Sequence, residues 1–147
     1  MTEILEQQIL RVTPSILDRA WPHLLKLLSA TPEVWSDYYS IEDIWNRLCY
    51  DKMQLWLMND EKEFQLAMLT EVVAFPQMTV LNVFWLAGHS FRKSLVFADY
   101  LEKIAAENGI DRISFQCRRG FVKLLKPYGY REAGVVLTKN IRKSLEN

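Results

Sequence analysis

Between residues 80 and 141, strand and helix patterns alternate in an order that few folds share. Residues 80–88 predict a mostly apolar strand, and residues 91–109 predict a long helix with apolar residues at helical spacing. A short strand (RISFQCR), a compact helix (GFVKLLKPYGY) and a closing strand (GVVLTKNI) are predicted to follow. Because a helix connects them, the first two strands are expected to lie parallel under a right-handed crossover, with a ligand cleft where they part.

The first half of the chain predicts helices followed by an antiparallel meander. Residues 8–13 alternate as a first strand, and the Thr-Pro dipeptide at its end begins a helix. Pro22 is expected to kink this helix or to divide it in two. Ser40 opens another helix with a capping sequence, and three strands follow up to residue 88. No linker or repeat interrupts the chain, so residues 1–147 predict one α/β domain with a mixed, mainly antiparallel sheet of about six or seven strands and about four helices.

The formal net charge is zero, but the two halves of the sequence differ in sign. Residues 1–90 hold 6 Lys/Arg against 12 Asp/Glu, and residues 91–147 hold 12 against 6. One interpretation is that a single domain carries opposite surface patches. The other is a surface for anions or an acidic partner in the C-terminal half, or head-to-tail self-association into a homo-oligomer. Zero net charge argues against general coating of nucleic acid, so no specific nucleic-acid partner is predicted.

The few cysteines and histidines exclude several kinds of site. Cys49 and Cys117 lack C-x-x-C spacing, so neither a disulfide framework nor a zinc site is indicated. His23 and His89 lie far apart without a third ligand pattern, so no metal site is predicted. No apolar run approaches the ~20 residues that span a bilayer, and the acidic N-terminus is unlike a secretory signal. A soluble protein without a membrane span is expected.

Several segments between about Trp35 and Lys143 form a larger pattern. They are SIEDIW, QLWL, EFQLA, VLNVFWLAG, AAENG, RRGFVKLLKPYGY and VVLTKNI. Together, in this order, they resemble the GNAT acetyltransferase-like proteins that tailed bacteriophages and prophages encode. The resemblance implies a GNAT-type domain with an acetyl-CoA site, and related GNAT-like folds occur as internal proteins of virions. It covers roughly three-quarters of the chain and bears on fold rather than on function.

Three positions depart from the pattern of an active GNAT enzyme. The resemblance aligns the pyrophosphate-binding loop with His89–Ser94, where Arg92 occupies the place of the first glycine. A side chain there is expected to crowd the backbone cradle. The place of the general-acid tyrosine falls on Leu125, which has no proton to donate, and that of an asparagine falls on Arg118. The resemblance therefore predicts a degenerate acetyl-CoA site.

Cations at two predicted helix starts suggest an anion-binding cleft. The resemblance places Arg92 and Lys93 at one start and Arg118 and Arg119 at the other. The other candidate cofactor-binding residues are Trp85, Leu86, His89, Ser90 and Ser94. Three alternatives stay open: solvated cations that pair with nearby carboxylates, a partner or polyanion site, and a rebuilt coenzyme A site.

Two side chains are candidate general bases if the protein is an enzyme. Glu71 lies on the third predicted strand, near where some GNAT enzymes place a glutamate, and His89 follows the fourth. The leading hypothesis is a phage-encoded GNAT-like protein that acts by contact with a protein partner, in the virion or in the host cytoplasm. The alternative is an active N-acyltransferase that uses acetyl-CoA on an amine. The aromatic stretch around Trp35, Tyr38 and Tyr39 is either an interface or a satellite hydrophobic cluster.

Overall fold

The structure is a computed structural model that describes residues 9–59, 64–88, 91–117 and 119–142. Within its helices and strands, the side chains of residues 59, 64, 65, 88 and 91–97 lie outside the description. The chain divides after Cys117 into two compact units. The single domain predicted from the sequence stays a prediction.

The first unit contains all of the described strands and most of the helices. Its elements, in chain order, are β1 (Ile9–Val12), α1 (Leu17–Ala30), α2 (Pro32–Trp35), α3 (Ile41–Cys49), β2 (Gln54–Asn59), β3 (Phe64–Ala74), β4 (Thr79–Gly88), α4 (Phe91–Glu107) and β5 (Arg112–Phe115). A 3-10 turn, Pro14–Ile16, precedes α1. The second unit contains α5 (Gly120–Leu125) and a 3-10 turn, Lys126–Tyr128.

The strands form one sheet in the order β1-β2-β3-β4-β5. Every neighbouring pair is antiparallel except β4 and β5, which are parallel and are joined through α4. The predicted meander and the predicted parallel pair are therefore confirmed. The α/β class with a mixed, mainly antiparallel sheet is confirmed too, although the described residues form five strands and five α-helices.

Each face of the sheet has its own apolar cluster, because alternate residues of a strand point to opposite sides. On one face, Leu24 of α1 and Ile44 of α3 are fully buried against Leu69 of β3. On the other face, Leu101 of α4 is buried against Met68 and neighbouring strand residues. Burial of each such side chain stabilises the fold by about 1.5–3 kcal/mol. The face with α1 and α3 is called the α1–α3 face below.

Pro22 does not divide the first long helix, so the predicted division is wrong, whereas the alternative of a kink stays a prediction. Helix α1 runs unbroken from Leu17 to Ala30, with Leu24 and Leu28 completely buried on its inner side. Proline removes one backbone hydrogen bond, to the carbonyl of Asp18, but this residue and Pro22 are exposed and water can bond the carbonyl. The buried inner face outweighs that local cost.

The predicted closing strand GVVLTKNI is also absent: residues 134–141 lie in no strand among the residues that the structure describes. Val135 and Leu137 are 80% and 91% exposed, and no described strand pairs with them. A β-strand is stable only when a neighbouring strand bonds its backbone, so the β-branched composition of this segment does not suffice.

Candidate active site

The parallel strands β4 and β5 part at Val83. Pairing runs from Val80 to Val83 on β4, and the last bond of this edge goes from the Gln116 N–H to the Val83 carbonyl, at 2.9 Å. Strand β4 continues to Gly88 beyond this point, paired with β3 but with no other described strand. The sheet therefore opens along the second half of β4, at the carboxyl ends of the two parallel strands, where ligands of such sheets bind.

A β-bulge lies at the same place. Thr70 of β3 pairs with Val83, whereas Leu69 pairs with Trp85, so Phe84 is the extra residue on β4. A bulge bends its strand and re-aims the side chains beside it, and bulges are frequent next to active sites. Phe84 itself is buried, 6% exposed, in the cluster of the α1–α3 face.

Three polar side chains form a row across β3, β4 and β5, just before the parting point. Glu71 is in register with Asn82, and Asn82 is in register with Ser114. The Ser114 hydroxyl donates to Asn82 Oδ1 at 2.9 Å, and Asn82 Nδ2 donates to Glu71 Oε1 at 3.4 Å. We call Glu71, Asn82 and Ser114 the polar row. The hydrogen bond from the Ser114 hydroxyl orients the Asn82 amide so that its NH₂ group faces the Glu71 carboxylate.

Two side chains from the helical layer reach the same carboxylate. The Tyr39 hydroxyl donates to Glu71 Oε2 at 3.4 Å, and Arg47 Nη2 of α3 lies 3.6 Å from this oxygen. The Arg47 guanidinium carbon also lies 5.6 Å from the centre of the Tyr39 ring, within cation–π range. Tyr39 also has an aromatic neighbour, Phe84, whose ring centre is 5.7 Å from that of Tyr39. Tyr39 thus lies between the bulge and the carboxylate.

The electrostatics keep Tyr39 protonated. Burial first, and then the negative charge of Glu71, raise the pKa of Tyr39 above its ordinary value, while the charge of Arg47 acts in the opposite direction. The Glu71 side chain is 20% exposed and that of Arg47 is 37% exposed, so solvent reaches the site. The buried Arg47 Nε has no hydrogen-bond partner among the described residues. The site therefore holds a carboxylate, a neutral hydroxyl donor and a partly exposed guanidinium at the edge of an opening.

Local sequence fixes the element that carries Arg47. Ser40 and Asp43 form the capping box predicted from the sequence: the Asp43 N–H donates to Ser40 Oγ at 3.1 Å, and the Ser40 N–H donates to Asp43 Oδ2 at 2.8 Å. Ile44 and Leu48 of α3 are buried beneath. The cap sets where α3 begins, and the buried residues set its rotation, so that Arg47 is directed to Glu71.

Of the two candidate general bases, only Glu71 lies within the description. It is at the site described above, whereas His89 and Ser90 lie outside the described residues. Trp85 is 1% exposed, and its indole Nε1 donates to Thr31 Oγ1 at 3.0 Å, so its side chain belongs to the core. Leu86 is half-buried on the opposite face of the sheet. Only the backbone of these two residues lines the open edge of β4.

The structure describes only some of the cationic residues predicted to bind an anion. Arg92, Lys93 and Ser94 lie in the first turn of α4, as predicted, but their side chains lie outside the description. Arg118 is outside the described residues, and Arg119 is exposed immediately before α5 in the second unit. Leu125, a residue of α5, is buried. The shared anion cleft therefore stays a prediction.

The aromatic stretch after α1 is divided between the core and the surface. Trp35 is buried, and its indole Nε1 donates to the Leu28 carbonyl at 2.9 Å, which makes it a core residue. Tyr38, by contrast, is 72% exposed. Packing or an interface was predicted for Tyr39, and the parts that Arg47, Asn82 and Ser114 take in the site were not predicted from the sequence. The sequence signal that could have indicated this site is Asn82, a polar residue within the apolar strand segment VLNVF.

The structure gives two results about metals and membranes. Within the described part of the chain, no group of three or more His, Cys, Asp or Glu residues could hold a metal ion. Among the described helices, none is both long enough and apolar enough to cross a membrane.

Comparison with solved structures identifies the fold. An aminoglycoside acetyltransferase from an uncultured soil metagenomic sample, in complex with sisomicin, has a TM-score of 0.67 at 15% identity, over 91% of this chain and 95% of that one. The ribosomal-protein-alanine N-acetyltransferase of Brucella melitensis biovar Abortus 2308 has a TM-score of 0.66 at 12% identity, over 90% and 99%. A predicted acetyltransferase from Clostridium acetobutylicum with acetyl-CoA has a TM-score of 0.65 at 13% identity, over 95% and 97%.

These likenesses show that the chain has the fold of the GNAT acetyltransferases. Neither the scan of protein-family models nor the search of curated proteins finds a match. The identities are low, so the likenesses establish the fold, and the chemistry has to be argued from the site itself.

Proposed function

We propose that this chain is an acetyl-CoA-dependent N-acetyltransferase in which Glu71 accepts a proton from the amine acceptor. The observation that carries the proposal is the position of the Glu71 carboxylate in the polar row, beside the bulge at Phe84 and next to the opening between β4 and β5. A carboxylate with part of its surface open to solvent, at the edge of a ligand cleft, can act as a general base directly or through one water.

The open strand edge fits acetyl-CoA. Beyond Val83, the backbone groups of β4 that face away from β3 have no described strand to bond. The pantetheine arm is an extended chain with amide groups, so it can bond such an edge as an added strand would. The 17-residue helix α4 begins shortly after β4, and its N-terminus, the positive end of its dipole, would hold the pyrophosphate, with Arg92 and Lys93 in its first turn. Bound acetyl-CoA would supply an activated acetyl group and a thiolate leaving group.

Neighbouring groups prepare Glu71 for this role. Arg47 lies 3.6 Å from one carboxylate oxygen of Glu71, and the Asn82 amide donates to the other, so the two partners hold the carboxylate in place. The exposed fraction of the Glu71 side chain, 20%, leaves room for an amine or a water to approach. These residues hold a charged acceptor in place before substrate arrives, which is the preorganisation that general-base catalysis requires.

The test is a calorimetric titration of the protein with acetyl-CoA at low and at moderate salt, followed by a turnover assay that measures release of free thiol. The acceptor panel includes an aminoglycoside and an alanine peptide, because acetyltransferases named for such acceptors share the fold. We expect micromolar binding that survives the added salt, and turnover on at least one amine. Binding that is absent, or that vanishes with salt as expected of a generic basic surface, contradicts the proposal.

A second candidate function is contact with a protein partner, by a phage-encoded protein whose transferase site is degenerate. Two observations favour it: Leu125 is a buried leucine where the family resemblance requires a proton donor, and Arg92 lies in the first turn of α4 where it requires glycine. Such a protein would act in the virion or in the host cytoplasm, as a component of the particle, as a ligand of a host factor or as a homo-oligomer.

The two candidates predict different results. A virion component is expected to copurify with phage particles and to bind no acetyl-CoA. Absence of the protein from purified particles contradicts the virion role, and transfer to an amine by the purified chain contradicts the degenerate site.

A further inference from the structure

A proton donor for the leaving thiolate is needed in the proposed reaction, and Leu125 cannot supply it. Departure of a thiolate is faster when a positioned acid protonates the sulfur, so the loss of this acid is costly unless another group replaces it. A replacement must be neutral at working pH, close to the parting point of β4 and β5, and able to recover its proton after each turnover. Tyr39 meets these conditions.

The geometry places the Tyr39 hydroxyl at the site. Its ring lies 5.7 Å from the ring of Phe84, the bulged residue at the point where β4 and β5 part. Its hydroxyl lies 3.4 Å from Glu71 Oε2, so acid and base share a hydrogen bond. Arg47 stacks on the ring at 5.6 Å and would stabilise a phenolate formed transiently.

We propose that Tyr39 is the general acid of this enzyme, replacing the tyrosine that the fold usually carries in its last helix. The inference rests on the proposed acetyltransferase function. A bond forms between the amine nitrogen and the acetyl carbon, and the carbon–sulfur bond breaks with its electron pair on sulfur. Glu71 accepts the proton that the amine loses, and Tyr39 Oη gives its proton to the sulfur. The Tyr39 phenolate then recovers a proton from the Glu71 carboxyl, so both residues return to their starting states.

The raised pKa of Tyr39 is consistent with this role. Burial and the charge of Glu71 keep the hydroxyl protonated through neutral pH, whereas the nearby positive charge of Arg47 favours release of the proton. A phenol held in this way donates once sulfur gains negative charge in the reaction and is a poor donor before that. Glu71 and Tyr39 therefore form a coupled acid–base pair at one hydrogen bond.

The first test detects whether Tyr39 contacts the sulfur of coenzyme A, and it requires no turnover. Tyrosine labelled at the ring carbon that bears the hydroxyl is incorporated, and the Tyr39 resonance is assigned with the Tyr39→Phe variant. Coenzyme A is then compared with desulfo-coenzyme A, which lacks the thiol. We expect coenzyme A to shift the Tyr39 resonance and desulfo-coenzyme A to leave it nearly unchanged. Equal shifts with both compounds, or none with bound coenzyme A, would overturn the inference.

The second test is kinetic and has a matched control next to Tyr39 in the sequence. Tyr39→Phe is expected to lower kcat by about 10²-fold or more with little change in acetyl-CoA affinity. Tyr38→Phe, at a tyrosine that is 72% exposed, is expected to keep wild-type kcat. Difluorotyrosine, a more acidic phenol, is expected to move the alkaline fall of kcat to lower pH when it replaces Tyr39, and to leave the profile unchanged when it replaces Tyr38.

The outcomes separate this inference from the function on which it rests. Acetyl transfer that is equally fast in the wild type, Tyr39→Phe and Tyr38→Phe keeps the enzyme and overturns Tyr39 as the acid. A wild-type protein that binds no acetyl-CoA and transfers no acetyl group overturns both together. An altered pH profile with difluorotyrosine at residue 39 is the result that a purely structural tyrosine would not give.

Discussion

Thr70 and Glu71 are neighbours on β3, but they build opposite kinds of polar cluster. Thr70 is 0% exposed: its hydroxyl accepts from the Trp56 indole N–H at 2.9 Å and donates to Gln54 Oε1 at 2.9 Å. Glu71 points to the other face of the sheet, where its partners lie at 3.4, 3.4 and 3.6 Å and its side chain is 20% exposed. Two adjacent residues therefore belong to different clusters: Thr70 to one that is closed and neutral, and Glu71 to one that is open and charged.

The difference teaches how a polar group in a sheet can be assigned to structure or to function. Buried polar groups are tolerated when all their hydrogen bonds are made with good geometry, as at Thr70. At Glu71 the bonds are long and the charge is only partly compensated, so the site is poised to exchange a partner for a substrate or a water. Burial, bond length and charge together make the distinction, and any one of them alone would not.

The largest expected effect comes from Glu71→Gln. The substituted side chain has the same shape and still accepts a hydrogen bond from Tyr39, but it cannot take a proton. We expect turnover to fall by about 10²- to 10⁴-fold, while the free energy of unfolding changes by less than about 1 kcal/mol, because the lost ion pair is long and partly exposed. Chemical denaturation and a thiol-release assay measure both quantities.

Glu42→Gln is the matched control, since Glu42 is an exposed glutamate in the first turn of α3. It removes the same charge from the same region and is expected to leave turnover unchanged. If both variants lose activity alike, the effect is one of overall charge and the distinction between the two clusters of β3 fails.

Thr70→Val is expected to give the opposite pattern. Valine has the same shape but no hydroxyl, so the Trp56 indole N–H and Gln54 lose their shared partner in a buried place. We expect a loss of about 1–3 kcal/mol in the free energy of unfolding, with turnover per folded molecule unchanged. Thr70→Ser retains the hydroxyl and separates the lost hydrogen bonds from lost packing. A fall in turnover beyond the unfolded fraction would mean that the two faces of β3 are coupled.

The sequence predicted the arrangement of the sheet well, because this arrangement depends on hydrophobic periodicity and on the residues that begin and end helices and strands. Pro76 follows the end of β3, Gly109 has the positive φ of a helix C-terminus, and Ser40 opens α3 as expected. The predicted division of the helix at Pro22 and the predicted strand at residues 134–141 failed, because both depended on local propensity where long-range contacts decide. In the first case packing overrides a proline, and in the second no described strand pairs with the segment.

The candidate site was harder to predict because it is assembled by register. Glu71 was named as a candidate base from its position on the third predicted strand. Its three partners come from β4, from α3 and from the loop before α3, and Ser114 of β5 orients one of them. Glu71, Asn82 and Ser114 meet because they share one row of the sheet. A single-residue shift of β4 would direct Asn82 to the other face, and the bulge that sets this register at Phe84 has no sequence signature of its own.

The smallest expected effect tests whether α3 holds the open cluster in place. Ser40→Ala removes the hydroxyl that accepts from the Asp43 N–H and is expected to cost about 1 kcal/mol of stability. Turnover is expected to change little, because Ile44 and Leu48 continue to anchor the helix that carries Arg47. A large loss of turnover with this small loss of stability would show that the cap controls the position of Arg47 relative to Glu71.

Acid sensitivity provides the corresponding pH test of this cap. The hydrogen bond from the Ser40 backbone N–H, followed by that from its side chain, lowers the pKa of Asp43 below its ordinary value. The ionised carboxylate therefore stabilises the fold above the unfolded pKa of Asp43, and this contribution is lost as pH falls through the folded pKa. Asp43→Asn should flatten the acid limb of stability measured from about pH 7 down to about pH 2. An acid limb that is unchanged in Asp43→Asn would mean that the cap contributes no charge-dependent stability, and that α3 depends on its buried face alone to bring Arg47 to Glu71.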